Sequence, residues 1–315
     1  MRLLITGGAG CLGSAIAREF LPKSQSVAIL DNFSTGDKAW VPSHPNLQVL
    51  EGDVRDVDFV ESCFEQFRPT HVVHAAASYA DPYDWTGDFE TNARGSLNVA
   101  QAAEKVGVSH LVYLQTALGY GKPTVTPIPL HHSLQPTTSY SISKVAGEYY
   151  ILGSSVPISV SLRIANTCAP HLSIGPLPTF YKRISAGEEC QVSPAQRDFL
   201  DIQDFLALLG LIFESAEPEN SAYNVSTGVG HSIQEVFEAV KIALDSPDAR
   251  AELIPLGPDD ISSVVLDSSI TQQRFSWRPQ TTLDNMVARQ VKWFEQFGVG
   301  AVRSHLKAVP TVQKD

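Results

Sequence analysis

The stretch "LLITGGAGCLGS", Leu3 to Ser14, decides the fold. Its apolar start reads as a buried strand, and the pattern "CLGSAIAREF" that follows reads as a helix. Between them stand Gly8, Gly10 and Gly13 in G-x-G-x-x-G spacing, while Gly7, Gly10 and Gly13 recur every three residues. Such a loop between strand and helix lets backbone N–H groups approach a pyrophosphate at the helix N-terminus. A second strand, "SVAIL", runs into Asp31, 18 positions after Gly13. A carboxylate there can accept hydrogen bonds from an adenosine ribose and would repel a 2′-phosphate. The next residues, "DNFSTG", contain no Arg to bind such a phosphate, so NAD is expected rather than NADP. Asp53, in "EGDVRD" after the third strand, is placed to meet the adenine.

Outward from this unit, apolar runs alternate with helical patterns. "LQVLEG", "THVVHAA", "HLVYLQT" and "ISVSLRIA" read as strands three to six. "DVDFVESCFEQF", "FETNARGSLNVAQAAEKV" and "SYSISKVAGEYYIL" read as helices, the second ending at Gly107. Alternation of this kind means a parallel sheet covered on both faces. After Asn166 the texture changes. "APHLSIGPLPTF" reads as loop, "YKRISAG" as a short helix, and "DFLDIQDFLALLGLIFESA" as a strand turning into a helix. "AYNVST" is a further strand and "LDNMVARQVKWFEQF" a late amphipathic helix. "SIQEVFEAVKIAL" opens with a capping box, Ser232 and Glu235. The expected fold is therefore α/β: a Rossmann-type doubly wound parallel sheet with a smaller mixed α/β C-terminal substrate lobe. The expected dinucleotide-binding domain spans residues 1–168, with returning segments near 198–227. The substrate lobe takes 169–197 and 228–303, and 304–315 is a loose tail.

The bulk numbers narrow the function. A 43% apolar chain of 315 residues can bury a large core. A net charge of -11 with no cluster of Lys and Arg argues against a nucleic-acid partner. Cys11, Cys63, Cys168 and Cys190 lie far apart, without metal-ligand spacing. They are expected to be free thiols in a reducing cytoplasm, and no metal is expected. No apolar run reaches transmembrane length and no N-terminal signal is expected, so no membrane partner is predicted.

"SYSISK" sets Tyr140 and Lys144 four apart, on one face of a helix. A phenol titrates near pH 10. A neighbouring ammonium and a cationic nicotinamide would both favour its phenolate, giving a base near neutral pH. Thr116 ends the strand before this helix, at the C-terminal sheet edge where open α/β sheets bind ligands. These three polar residues are the candidate reacting constellation.

At this point the chain resembles an extended short-chain dehydrogenase/reductase of the NAD-dependent nucleotide-sugar epimerase/dehydratase family. The likeness covers almost the whole length. It rests on "TGGAGCLG", Asp31, "GDV", "HAAA", "TNARGSLNV", "QTALGYG", "YSISK", "LRIANTCAP", "RDFLDIQD" and "YNVSTGVGHSI", in the family's order. The resemblance implies catalytic roles for Thr116, Tyr140 and Lys144. It implies NAD contacts from Gly7, Gly10, Cys11, Leu12, Gly13, Asp31, Asn32, Asp53, Val54, Ala75, Ala76 and Asn92, together with Tyr140 and Lys144. It implies nucleotide-sugar contacts from Thr116, Asn166, Lys182 and Arg197. It also implies a homodimer through helices near 90–106 and 139–152, where Ala93, Gly95, Ala146 and Gly147 would permit close packing. The chain departs from the family at Cys11, where an aromatic is usual, and at Ala169–Pro170, where Gly-Pro is frequent. Gly257 stands where many members carry a nucleotide-binding Arg.

One departure bears on the reaction. A 4,6-dehydratase of this family carries Asp-Glu directly after the threonine, because removal of a C5 proton and loss of the C6 hydroxyl need a base and an acid. Here those positions are Ala117 and Leu118, which transfer no protons. An epimerase needs neither group. The expectation is NAD-dependent C4 epimerisation of a nucleotide-diphosphate sugar through a transient 4-keto sugar. The alternatives are a dehydratase, or a dehydrogenase/reductase with net turnover of NAD, and a non-catalytic NAD-binding sensor. Asp81 and Asp84, in "ASYADPYDW", are the carboxylates another segment could supply, although a solvated loop is the simpler reading.

Overall fold

The computed structural model describes residues 1–257 and 261–302. The expected tail, 304–315, lies outside the described residues. Seven strands form the central sheet: β1 (Arg2–Thr6), β2 (Ser26–Asp31), β3 (Leu47–Glu51), β4 (His71–His74), β5 (His110–Thr116), β6 (Ile158–Ile164) and β7 (Glu219–Val225). Their order is β7-β6-β5-β4-β1-β2-β3 and every pairing is parallel. The chain moves outward from β1 to β3, then restarts at β4 on the other side of β1. A crevice opens at that reversal, beyond the C-terminal ends of β1 and β4.

The strands read as continuous apolar runs because both faces are covered. On one face Leu3, Ile5, Val27, Ile29 and Val112 pack with Ile16 and Phe20 of α1 (Cys11–Phe20) and Phe205 and Leu208 further along the chain. On the other, Leu4, Ala28, Leu30 and Leu111 pack with α2 (Val57–Phe67) and α3 (Gly95–Val106). The catalytic-pattern helix is α4 (Ser139–Leu152), opened by a capping box between Thr138 and Ser141.

The second half builds its own core. Phe180, Phe237, Val240, Val287 and Phe294 join α5 (Pro176–Ser185), α7 (Ile233–Ala243) and α8 (Leu283–Phe297), while α6 (Ile202–Phe213) returns to the sheet. Two local expectations are corrected. The loop expected through Phe180 ends early, since α5 begins at Pro176. Gly175 at φ 91° turns the chain into it, and a proline at the first helical position needs no N–H partner. The long helix expected from Phe89 is not uniform: Phe89–Arg94 is a π-helical turn leading into α3. Asn92, fully buried on that turn, bonds the N–H and carbonyl of Ser78 and the hydroxyl of Ser143 on α4.

The small residues expected at a dimer contact are largely spent inside the chain. A Cβ on Gly147 would stand 2.5 Å from the Asn92 carbonyl oxygen and the Tyr113 hydroxyl, and one on Gly95 would stand 2.7 Å from Val54.

A buried ion pair fixes α4 to β6. Arg163 donates to both Glu148 carboxylate oxygens, at 3.1 Å through Nε and 2.6 Å through Nη2. Ser161 donates to the same carboxylate at 2.7 Å. The third arm of Arg163 donates to the Tyr120 hydroxyl at 2.9 Å, which in turn donates to Asn224 of β7 at 2.6 Å. Removing one partner strands a charge out of water. Glu148→Gln or Arg163→Met is expected to lower unfolding free energy by about 3–5 kcal/mol. Denaturant unfolding of each variant checks this.

Candidate active site

The C-terminal ends of β1, β2, β4 and β5 open onto a cleft of about 490 Å³. Gly7, Gly10 and Gly13 form its floor on one side. Gly7 has φ 66°, and a Cβ there would lie 2.6 Å from the Ala76 nitrogen. A Cβ on Gly13 would lie 2.1 Å from the Gly7 carbonyl oxygen, so only glycine lets α1 start this close to β1. No side chain caps α1, and its first turn holds no acidic residue. Its N-terminal N–H groups and dipole suit an anionic group.

Asp31 is buried at the end of β2 and braces this loop. Its carboxylate accepts the Ala9 and Phe33 backbone N–H groups, each at 2.8 Å. Lone pairs remain on both oxygens for hydroxyl donors. Asp53 accepts from Asn32 at 2.7 Å and from two Arg55 nitrogens at 3.0 and 2.8 Å. Burial alone would raise its pKa, but the Arg55 and Asn32 bonds outweigh that and hold it low. Cys11, Leu12, Asn32, Val54, Ala75 and Ala76 also line the cleft. The Cys11 thiol donates to the Pro170 carbonyl at 3.2 Å, and burial pushes its pKa up to about 12. It is an inert wall, not a nucleophile.

Thr116, Tyr140 and Lys144 meet at the other end of the same cleft. Thr116 Oγ1 accepts the Leu118 N–H at 3.2 Å and is hydrogen-bonded to the Tyr140 hydroxyl. Lys144 is buried, its ammonium 4.0 Å from the centroid of the Tyr113 ring. Burial pushes its pKa down to about 7, against the opposing charge of Glu148. The expectation that Lys144 lowers the Tyr140 pKa needs correction for the protein by itself. Burial raises the phenol, Tyr79 and Asp88 add to the rise, and the Thr116 bond opposes them. The surroundings of the phenol in the protein by itself thus favour its protonated form.

Asn92, Asn166, Lys182 and Arg197 do not line this cleft. Asn92 lies beneath it, bridging the Ser78 loop to α4. Asn166 donates to the Asp198 carbonyl, and Lys182 to the Gly300 carbonyl at 2.6 Å. Arg197 donates to the Gln196 carbonyl at 2.8 Å. Conversely, Ser78, Tyr79 and Thr91 are lining residues that the sequence did not point to, and Asp81 and Asp84, named there only as carboxylates another segment could supply, line the cleft as well. The signal available was position: the segment leaves β4 at its C-terminal end.

His74 shows how tightly the floor is packed. It is fully buried between Thr6, 2.6 Å from Nδ1, and Ser96, 2.9 Å from Nε2. Ser96 gives its own proton to the Asn92 carbonyl, so Nε2 carries the imidazole proton and Nδ1 accepts from Thr6. Among the described residues, no group of three or more His, Cys, Asp or Glu side chains is arranged to hold a metal ion, and no helix is long and apolar enough to cross a membrane.

A doubly wound sheet with a glycine loop at its first crossover, and a Thr–Tyr–Lys set across the same crevice, defines a dinucleotide-binding protein of the short-chain dehydrogenase/reductase type. More particularly, the chain belongs to the NAD dependent epimerase/dehydratase family, which matches residues 3–226. It is 30% identical to a UDP-glucose 4-epimerase of Corynebacterium glutamicum, over 90% of this chain and 92% of that protein. The crystal structure of Bordetella bronchiseptica WbmG in complex with NAD and UDP is 47% identical and superposes with a TM-score of 0.91, covering 98% of each chain. A UDP-glucose 4-epimerase of Thermotoga maritima, solved with UDP-glucose, is 25% identical with a TM-score of 0.85, covering 94% of this chain and 99% of that one.

Two outcomes follow from this geometry. Gly13→Ala is expected to weaken NAD binding at least tenfold, about 1.4 kcal/mol, since the new methyl displaces the loop that meets the phosphates. Titration calorimetry with NAD reads this directly. For His74, burial and then the Lys144 charge depress the folded pKa from 6.5 to about 3. The unfolded chain takes up the proton first, so this contribution to stability is intact above pH 6.5 and is lost progressively as pH falls toward 3. In that window the unfolding free energy of His74→Gln should depend less steeply on pH than that of the parent, by up to about 1.4 kcal/mol per pH unit.

Proposed function

We propose that this protein interconverts the C4 epimers of a nucleotide-diphosphate sugar, using NAD and passing through a transient 4-keto sugar. One observation carries the reading. Thr116 and Tyr140 share a hydrogen bond at the cleft, while the two positions after Thr116 are Ala117 and Leu118. Ala117 is buried in an apolar cluster with Tyr120, Ile128 and Leu266 and offers nothing to the cleft chemically.

In this reading Tyr140 takes the proton of the C4 hydroxyl and later returns it. Thr116 bonds the same oxygen and holds it through the change from alcohol to ketone. Lys144 reaches the nicotinamide ribose, and the Glu148–Arg163 pair holds its helix in place. The glycine loop and the α1 N-terminus hold the pyrophosphate, and Asp31 meets the adenosine ribose. NAD, when bound, would supply the hydride acceptor and donor for the sugar C4 and a positive charge that favours the Tyr140 phenolate. The UDP and UDP-glucose found with two of the similar structures support a uridine diphosphate sugar as the first class of substrate. Asn166, Lys182 and Arg197 are the proposed nucleotide contacts. The segment after β4 supports a second reading, since Asp81 and Asp84 line the cleft and could act on a C5 proton.

The working unit is proposed to be a homodimer. Trp85, Phe89, Ile142 and Tyr149 are 60%, 56%, 54% and 66% exposed, an unusual concentration of large apolar side chains near α3 and α4. A second copy presenting the same face would cover them. Four free thiols and dependence on NAD support a cytoplasmic setting.

Incubation with UDP-, GDP- and dTDP-sugars in deuterated water, followed by NMR, tests the reaction. C4 inversion with no deuterium at C4 or C5 is expected. Deuterium at C5 would instead support the reading through Asp81 and Asp84. Tyr140→Phe should reduce turnover by about 10²–10⁴-fold. Sedimentation should give a dimer for the parent and a monomer for Ile142→Glu combined with Tyr149→Glu; a parent that sediments as a monomer would refute the dimer.

A further inference from the structure

Asp88 takes no part in the proton transfer proposed for Tyr140, yet it is among the most deeply buried carboxyls in the fold. It ends the short helix Trp85–Asp88, is 1% exposed, and neither of its carboxylate oxygens has a hydrogen-bond partner. It lines a second, much smaller cavity of about 10 Å³, bounded also by Tyr79, Asp81, Pro82, Thr138, Ser139 and Tyr140. Three of these, Tyr79, Asp81 and Tyr140, also line the main cleft. The small cavity and the main cleft therefore share Tyr140 as a wall. About 10 Å³ is room for one water, and a polar wall with two unmet acceptors is the setting in which such a water is held.

We propose that Asp88 is a positioning residue for this site: its carboxylate, holding one water in the cavity it shares with Tyr140, opposes ionisation of the Tyr140 phenol and so sets the pH at which that phenol becomes a base. The proposal rests on the reading of Tyr140 as the group that takes the substrate proton.

The surroundings give the sign. Around Tyr140, Tyr79 and Asp88 disfavour the phenolate and the Thr116 bond favours it. Lys144 stands one turn along the same helix, with Glu148 beyond it. Around Asp88, burial raises the carboxyl pKa, the hydroxyls of Ser139 and Ser78, near the carboxylate but outside hydrogen-bonding geometry, lower it, and the like charges of Asp84 and Asp81 raise it again. An ionised Asp88 makes a second negative charge on Tyr140 costly. Positive charge arriving with the cofactor offsets that cost, so the base forms in the loaded site and not in the empty one. The same carboxylate faces the N-terminus of α4, where the helix dipole favours it.

The test is Asp88→Asn, which keeps the shape and removes the charge. In the NAD-loaded protein, the ultraviolet signal of phenolate formation is followed against pH. Subtraction of Tyr140→Phe in the same background isolates Tyr140 among the nine tyrosines. The expected result is a midpoint lower by on the order of one pH unit, a tenfold larger phenolate fraction at a given pH. The rising limb of kcat/KM should move by the same amount, with KM for the sugar unchanged. Asp88→Glu should restore the parent midpoint. If Asp88→Asn does not fold, Asp88→Ser leaves room for water and carries the same expectation. An unmoved Tyr140 midpoint overturns the proposal. A raised KM with an unmoved midpoint overturns it too, and makes Asp88 a substrate contact. Failure to epimerise any sugar would refute the proposed function alone, because the phenol titration needs no turnover.

Discussion

The buried pair between Glu148 and Arg163 is the constraint on which the active-site end of this fold depends. It joins α4 to β6, and through Tyr120 and Asn224 it reaches the turn after Thr116 and the edge strand β7. Thr116, Tyr140 and Lys144 come from two elements with a long loop between them. Nothing local would bring a strand-end hydroxyl against a helix phenol. The ion pair does so by fixing the helix along its strand neighbour, with every arm of the guanidinium and both carboxylate oxygens satisfied. Buried charge is tolerated when it is fully paired, and its alternatives are so costly that it specifies one arrangement.

The protein places its reactive groups in unfavourable states. Lys144 is buried, with its pKa pushed down to about 7, and the Tyr140 phenol is held protonated by burial and by nearby Tyr79 and Asp88. These are the shifts expected where a site awaits charge from outside. A pyrophosphate at the glycine loop and a nicotinamide cation near Tyr140 would complete the electrostatics.

Substrate recognition is divided differently. The glycine loop, Asp31 and Asp53 sit on rigid strand ends and their partners are backbone or near neighbours. The segment after β4 is less regular, and it brings Asp81, Asp84 and Asp88 to the walls of cavities that Tyr140 also lines.

Much of this was legible in the chain itself. Alternating apolar strands and helices identified the parallel sheet, because buried strands must be apolar on both faces. The glycine spacing and Asp31 located one wall of the cleft, because close backbone approach and a strand-end carboxylate are local requirements. The helix beginning at Pro176 and the π-helical turn at Phe89–Arg94 were not legible, since both are decided by packing against other elements. The roles of Glu148, Arg163 and Asp88 were invisible for the same reason. A charged residue in a helix or strand pattern reads as solvated surface until the tertiary structure removes its water. The sequence by itself determined the sheet, the loop and the residue types able to react. Only the tertiary structure decided which charges are buried, and burial is what turns an ordinary carboxyl, ammonium or phenol into a tuned one.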